Sequence, residues 1–167
     1  RCPIGRNGRS WRLAWPAMAR LLIVHHSPMD SVRRLTDAVV AGVTHPDLEG
    51  AVEAVRRPAL EATAADVLAS DAVVCVTPVN FGYMSGALKH FFDSSFRALE
   101  DTTANLPYAA VIKGTTDADG AVRALEAIAT GMRWRRVVPP VVLEGPVDDD
   151  AVAATIELAA TVAATIA

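Results

Sequence analysis

The sequence predicts an α/β domain in which a parallel sheet is covered by helices on both faces. Short apolar segments with strand character alternate five times with segments whose apolar residues recur at helical spacing. Such an alternation folds as parallel strands joined by crossover helices. The 167 residues suffice for one domain of this kind, and no internal repeat or low-complexity linker indicates a second.

The amino-terminal half carries three strand segments and two helical ones. Residues 21–25 form a short apolar run typical of a buried strand, and the apolar spacing over 31–43 predicts a helix. Residues 48–57 predict a weaker edge strand, and residues 63–69 a short helix. Residues 72–76 are all apolar and predict the central strand of the sheet.

The next strand and its flanking helix are also clear. Residues 85–99 predict an amphipathic helix, and Ser85 is well suited as its N-cap because a serine hydroxyl accepts from the first free N–H groups. Residues 108–112 predict the fourth strand.

The last third of the chain predicts a helix, an edge strand and a closing helix. The helix over 119–130 should stop at Gly131. The strand over 136–143 is interrupted by Pro139-Pro140, which favours an edge position or a bulge. Residues 148–166 predict the closing helix, with acidic residues in its first turn.

The first 17 residues differ in composition from the rest of the chain. They hold four of the 16 basic residues and none of the 19 acidic ones, so the remainder has a net charge near −7. No apolar segment of a secretory signal follows these arginines. We expect residues 1–17 to be a disordered leader, tag or upstream extension, and residues 18–167 to be the domain.

Composition also argues against several classes of protein. The acidic domain is a poor nucleic-acid binder, and no apolar run reaches the roughly 20 residues of a membrane-spanning helix. Two cysteines imply no disulfide framework, so a reducing cytoplasm is the expected location. Cys75, in the central strand, should be a small buried apolar residue.

Residues 77–93, which read TPVNFGYMSGALKHFFD, are the most informative segment. They follow the central strand, and their loop contains Pro78, two glycines and two aromatic residues before the next helix begins. Open α/β sheets bind planar cofactors at such strand-to-helix loops. Gly82 and Gly86 permit tight turns and a close approach of the backbone to a ligand.

This segment resembles the second flavin loop of flavodoxin-like FMN proteins and NAD(P)H-dependent FMN or quinone reductases, which often reads TPxxxGxMSGxLKxFxD. The resemblance covers roughly residues 20–167. It implies a flavodoxin-like three-layer sandwich with a five-stranded parallel sheet in the order 2-1-3-4-5. It also implies FMN as the cofactor and NAD(P)H as the co-substrate.

The resemblance further implies a flavin site built from three loops. Asn80, Phe81 and Tyr83 would lie beside or over the isoalloxazine ring; alternatively, the aromatic residues pack the loop or a subunit interface. A glycine-containing loop after the fourth strand would border the flavin, unless it is a plain turn in which Asp119 caps the helix. The ring-binding residues expected from these two loops are Pro78, Val79, Asn80, Phe81, Gly82, Tyr83, Gly114, Thr115 and Thr116.

The first loop, after the first strand, departs from the family's phosphate-binding pattern Ser/Thr-x-Thr-Gly-x-Thr. Ser27 matches this pattern, but Asp30 stands where glycine is usual and Val32 where the last threonine is usual. Pro28 also removes one N–H donor.

A phosphate could nevertheless be held at the start of the following helix. We expect Ser27 and Ser31 to contact it through their hydroxyls and His26 through its ring. The alternative is that Asp30 or Ser31 simply caps the helix. His25 is expected at the strand end or in the core.

Three functions remain open from the sequence. The first is an FMN-dependent oxidoreductase that passes electrons from NAD(P)H to a quinone or another small acceptor, with no catalytic side chain and no metal ligand. The second is an electron carrier for a redox protein partner. The third is a flavodoxin-fold binding protein with weakened or lost FMN binding. A homodimer is compatible with each of them.

Overall fold

A computed structural model describes residues 18–115 and 117–167. Over these ranges the chain forms seven strands, five α-helices and one short 3₁₀ helix, Pro46–Leu48. The expectation for residues 1–17 lies outside the described residues. In chain order the elements are β1 (Ala19–His25), α1 (Asp30–Val43), β2 (Val52–Pro58), α2 (Ala64–Leu68), β3 (Ala72–Asn80), β4 (Tyr83–Met84), α3 (Gly86–Leu99), β5 (Pro107–Gly114), α4 (Asp119–Gly131), β6 (Arg135–Arg136), β7 (Val141–Glu144) and α5 (Asp149–Ala164).

The parallel part of the sheet has the order β2-β1-β3-β5, and β6 and β7 share the far edge of β5. Taken as one interrupted strand, β6 and β7 are the fifth parallel strand, and β5 is the fourth, since β4 is outside the parallel series. The order is then 2-1-3-4-5, which confirms the predicted flavodoxin-like fold. The sheet has seven strands rather than five, because the last strand is split and β4 forms an additional antiparallel pair with β3.

The split of the last strand follows from its two prolines. Arg135 pairs with Pro107 at the start of β5, and Val141 pairs with Val111 further along it. Pro139 and Pro140 lie between these two pairings and cannot donate to a ladder. The predicted edge position is confirmed, because β6 and β7 pair with β5 alone among the described strands, and an edge strand tolerates such a gap.

Side chains of alternating strand residues fill two separate cores. On one face of the sheet, Leu22 and Cys75 pack with α3 and α4 residues such as Phe91 and Leu125. On the other face, Leu21, Ile23 and their neighbours pack against α1 and α5. Burial raises the pKa of the Cys75 thiol to about 12, so Cys75 is a buried, unreactive side chain, as expected from the sequence.

The central strand β3 is longer than predicted and continues through Pro78 to Asn80. In a parallel strand, the N–H and C=O groups of one residue point to the same side, and this side alternates along the strand. The Val76 carbonyl accepts from His26 N–H on the β1 side. Pro78, two residues later, faces the same side beyond the end of β1, so its missing N–H removes no ladder bond.

Helix ends agree with the sequence in part. Ser85 caps α3, as predicted, since its side chain accepts from Leu88 N–H. α4 ends at Gly131, as predicted, but the left-handed residue that turns the chain is Arg133, with φ of 57°, rather than the glycine. No helix among the described residues combines the length and apolar character that crossing a membrane requires.

Candidate cofactor site

Three loops meet at one edge of the sheet because β1, β3 and β5 are adjacent and parallel. Loop 1 comprises residues 26–29 after β1, loop 2 residues 80–85 around the β3–β4 turn, and loop 3 residues 115–118 after β5. Thr116 of loop 3 is not among the described residues. The strand order reverses between β1 and β3, and open α/β sheets bind their ligands outside the carboxyl ends of the strands at such a point.

Loop 2 is a tight β-hairpin. Val79 pairs with Met84 and Asn80 with Tyr83 in antiparallel register. The two turn residues, Phe81 and Gly82, both have positive φ, 52° and 70°. This is the backbone geometry of a two-residue type I′ turn, in which glycine is favoured and phenylalanine is not. The turn holds the Phe81 side chain fully exposed to solvent.

Loop 2 is held by a buried hydrogen bond to β3 and by a close contact with α4. Ser85 N–H donates to the Thr77 hydroxyl over 3.0 Å, and both residues are completely buried. The Gly82 carbonyl lies against Gly120 in the first turn of α4, so closely that a Cβ at residue 120 would be 2.0 Å from the Gly82 oxygen. The missing side chain of Gly120 therefore allows the hairpin tip to rest on α4.

The amino end of α1 lacks a side-chain cap. The N-cap residue is Met29, and no side chain among the described residues accepts from the first N–H groups of the helix. The expectation that Asp30 or Ser31 caps α1 is therefore wrong. Asp30 is the first residue inside the helix, where its carboxylate pairs with Arg33 instead. Free N–H groups and the helix dipole make such an end suitable for an anion.

Arg33 is a part of this site that sequence reasoning missed. Its guanidinium pairs with Asp30 and lies 3.4 Å from the carbonyl oxygens of Ser27 and Pro28. It offsets the negative charge of Asp30, which would otherwise repel a phosphate. The only sequence signal was the spacing of three residues between Asp30 and Arg33.

His25 and Ser27 lie at the base of loop 1. His25 ends β1 and is 8% exposed, which confirms its expected place at the strand end. Its Nδ1 is 2.9 Å from Ser27 Oγ, and its Nε2 is 3.2 Å from Arg56 Nε. Burial and, to a lesser degree, the Arg56 charge lower the pKa of His25 to about 4, so its ring is neutral near pH 7.

The Ser27 side chain points into the protein. Its Oγ is 2.8 Å from the hydroxyl of Thr36, a completely buried α1 residue. The hydroxyl is thus occupied by protein partners, and loop 1 is attached through it to α1.

His26 has an unpartnered buried atom. Its backbone N–H donates to the Val76 carbonyl over 3.0 Å, but its ring Nδ1 is buried without a hydrogen-bond partner among the described residues. Buried polar atoms in native proteins are nearly always paired, so this nitrogen is an exception within the described part of the chain.

Loop 3 is shaped by an interaction with β7. Glu144, at the end of β7, accepts from Ala118 N–H over 3.0 Å. Ala118 is the N-cap of α4, so the alternative expectation that Asp119 caps this helix is wrong. Gly114 is buried at the end of β5, and Thr115 is exposed beyond it.

Sequence comparison matches residues 8–145 to the family described as NADPH-dependent FMN reductase. The match spans more than half of the chain. The protein belongs to this family. A comparison with curated protein sequences found no significant match.

Solved structures with the same fold include flavodoxins and oxidoreductases. A flavodoxin of Streptococcus pneumoniae TIGR4 superposes with a TM-score of 0.73 at 18% identity, over 89% of this chain and 100% of its own. An oxidoreductase from Corynebacterium diphtheriae superposes with a TM-score of 0.71 at 19% identity, over 90% of this chain and 98% of its own. An NADH:FMN oxidoreductase in its apo form superposes with a TM-score of 0.69 at 13% identity, over 89% of this chain and 90% of its own. At these identities the likeness establishes the fold.

Membership in the NADPH-dependent FMN reductase family confirms the expectation of FMN as cofactor, with NAD(P)H as co-substrate. The residues present fit such a group. The uncapped end of α1 with Arg33 offers donors to a phosphate, and the unpartnered His26 Nδ1 lies in the same loop. The glycine turn of loop 2 offers a rigid backbone edge to a planar ring.

Proposed function

We propose that this FMN reductase family member passes electrons from NAD(P)H to a quinone or another small acceptor. The observation that carries the proposal is the pairing of an uncapped α1 terminus with the rigid loop 2 hairpin at one sheet edge. An FMN molecule needs both kinds of partner, because it has a phosphate at one end and a ring with hydrogen-bonding edges at the other.

The proposed phosphate site consists of the first α1 N–H groups, Ser31 and His26, with Arg33 as the nearby cation. Ser31 is the second residue of α1, so it belongs to the helical turn that carries the free N–H groups. Ser27 belongs to the site through its backbone, since its hydroxyl has partners within the protein.

The proposed ring site consists of loops 2 and 3. Backbone groups of β3 and the turn would border the ring, and the exposed Phe81 and Tyr83 would lie beside it or beside the substrate. The residues proposed to contact the ring are Pro78, Val79, Asn80, Phe81, Gly82, Tyr83, Gly114, Thr115 and Thr116.

The bound flavin supplies the redox chemistry, and the protein supplies position and hydrogen bonds. With a quinone, the net reaction converts NAD(P)H, a proton and the quinone into NAD(P)⁺ and the hydroquinone. The proton comes from solvent, so no buried acid or base is required. Phe81 and Tyr83 at the loop 2 tip are exposed, so either small molecule could reach them from solvent.

A second function, electron transfer to a redox protein, has one observation in its favour. The fully exposed Phe81 projects from the cofactor edge of a domain with a net negative charge, and a basic partner could dock on such a surface. The two functions differ in whether small molecules alone sustain turnover.

The test is steady-state NAD(P)H oxidation by FMN-loaded protein with a soluble quinone. The enzyme proposal predicts turnover that depends on both FMN and quinone. Flavin-loaded protein that shows no turnover would contradict it and favour the electron carrier. Protein that takes up no FMN would contradict both and favour a binding protein that has lost the cofactor.

A further inference from the structure

A chain of four hydrogen bonds runs beneath loop 1 and joins three elements of the fold. It begins at Arg56 on the edge strand β2, passes through His25 at the end of β1 and Ser27 in loop 1, and ends on α1. In α1 the Thr36 hydroxyl donates to the Val32 carbonyl over 3.0 Å. We call this series the loop 1 chain.

The direction of every bond in the loop 1 chain is determined by its two ends. A guanidinium can only donate and a backbone carbonyl can only accept. His25 Nε2 must therefore accept from Arg56, which leaves the ring proton on Nδ1 to donate to Ser27. Since Thr36 has given its single proton to Val32, the proton shared between the two hydroxyls belongs to Ser27.

Two consequences follow for loop 1. The Ser27 hydroxyl proton is directed inward, so Ser27 is an anchor of the loop and no donor to a ligand. The neutral Nδ1–H form of His25 is required. In the other neutral form, the Nε2–H of His25 would point at the N–H of Arg56, so that two donors would meet. His25 Nδ1 would also face Ser27 Oγ without a proton between them, because the Ser27 proton is donated to Thr36.

We propose that His25 and Arg56 are positioning residues for the FMN phosphate: through Ser27 they hold loop 1 so that the free N–H groups of α1 face the ligand. Neither residue is proposed to touch FMN. The inference rests on the FMN binding proposed above. The role of Arg56 is to select the His25 tautomer, and the role of His25 is to donate to Ser27.

This division of roles makes different substitutions at residue 25 distinguishable. His25→Asn places an amide N–H near the position of Nδ1 and keeps the donation to Ser27 without any tautomer. His25→Gln places its amide near Nε2, keeps an acceptor for Arg56 and loses the donor to Ser27. We expect the FMN dissociation constant to rise roughly three- to tenfold for H25Q, and to stay within about twofold for H25N.

Arg56→Met should weaken FMN binding to an extent similar to H25Q. Arg57→Met is the matched control, since it removes the same charge from the next residue of β2, where Arg57 pairs with Asp66. In the H25N background, R56M should have no further effect on FMN affinity, because asparagine needs no tautomer selection. A loss of affinity that persists in this background would overturn the proposed role of Arg56.

A direct readout that does not require FMN is the tautomer of His25. Nitrogen NMR of the apoprotein near pH 7 should show the proton on Nδ1. A proton on Nε2, or H25Q binding FMN as tightly as the unaltered protein, would overturn the inference. If the unaltered protein binds no FMN, the proposed function fails. The position of the His25 ring proton still decides whether the loop 1 chain exists: it should be on Nδ1 in the unaltered protein and lose this preference in R56M.

Discussion

Phe81 and His25 are two residues whose surroundings oppose their usual preferences. Phe81 has a positive φ, which costs a phenylalanine about 1 kcal/mol, and its ring makes no compensating buried contact. His25 is buried beside the Arg56 cation, which disfavours its protonated form. Both lie at the carboxyl edge of the sheet, where such costs are typical of functional sites.

Phe81 should contribute to ligand binding while lowering the stability of the apoprotein. Phe81→Asn relieves the positive φ and should raise the free energy of unfolding by about 1 kcal/mol in urea denaturation. The same variant should bind FMN or NAD(P)H more weakly. Phe81→Leu is the matched variant that keeps the strained backbone and lacks the ring: it should lose affinity without gaining stability. Unchanged affinity in both variants would limit Phe81 to a structural role.

His25 predicts a defined dependence of stability on pH. Its pKa falls from the ordinary 6.5 to about 4 on folding, so between these values the unfolded chain binds a proton that the native protein does not. Stability should therefore rise with pH across this window, with a contribution from His25 of up to about 3 kcal/mol that is complete above pH 6.5.

His25→Asn removes this contribution. Urea unfolding measured from pH 4 to pH 6.5 should show a smaller rise in unfolding free energy for H25N than for the unaltered protein. Equal slopes for the two proteins would contradict the burial of a neutral ring at this position.

At the scale of elements, two glycines allow close contacts that hold the fold and the site. Gly42 of α1 lies against α5, where a Cβ would be 2.3 Å from the Ile156 carbonyl oxygen. Gly120 of α4 lies against loop 2. The first contact is a helix–helix packing contact, whereas the second joins a helix to the proposed flavin loop.

These two contacts predict different outcomes for the same substitution. Gly42→Ala and Gly120→Ala should each destabilise the protein by about 1–3 kcal/mol, because a backbone atom must move in both cases. Only Gly120→Ala should also weaken FMN binding when affinity is measured for the protein that remains folded. Gly42→Ala is the matched control, since it disturbs a helix–helix contact and not loop 2. Equal FMN affinity in Gly42→Ala and Gly120→Ala would contradict the role of loop 2.

The sequence predicted the elements well where local pattern decides them. All five strand segments and all five helices exist, because apolar periodicity and length are local properties. The β4 hairpin was missed, since Asn80-Phe81-Gly82-Tyr83 carries the glycine of a type I′ turn but a phenylalanine where glycine or asparagine is usual. The caps of α1 and α4 were wrong for different reasons. Asp30 lies inside α1 and pairs locally with Arg33, whereas α4 has Ala118 as its N-cap, and the Ala118 N–H donates to Glu144 of β7, a partner distant in the sequence.

At the scale of the whole molecule, the sheet order decides which residues meet. The crossover that places β1 between β2 and β3 brings Arg56, His25 and loop 2 to one edge, although they are distant in the sequence. No single-sequence pattern reveals the loop 1 chain, because its members lie up to 31 residues apart on four segments. The resemblance of residues 77–93 correctly indicated the family. The departure of loop 1 from the family's phosphate pattern gave no sign that the loop is attached to α1 through Ser27 and Thr36.

The central claim is that the carboxyl edge of this sheet binds FMN in a form that NAD(P)H reduces. The most direct measurement is anaerobic mixing of FMN-loaded protein with NADPH or NADH, followed by the visible absorbance of the flavin. We predict saturable bleaching of bound FMN by at least one nicotinamide, slowed in Gly120→Ala and unchanged in Gly42→Ala. Bound flavin that neither nicotinamide bleaches would contradict the claim.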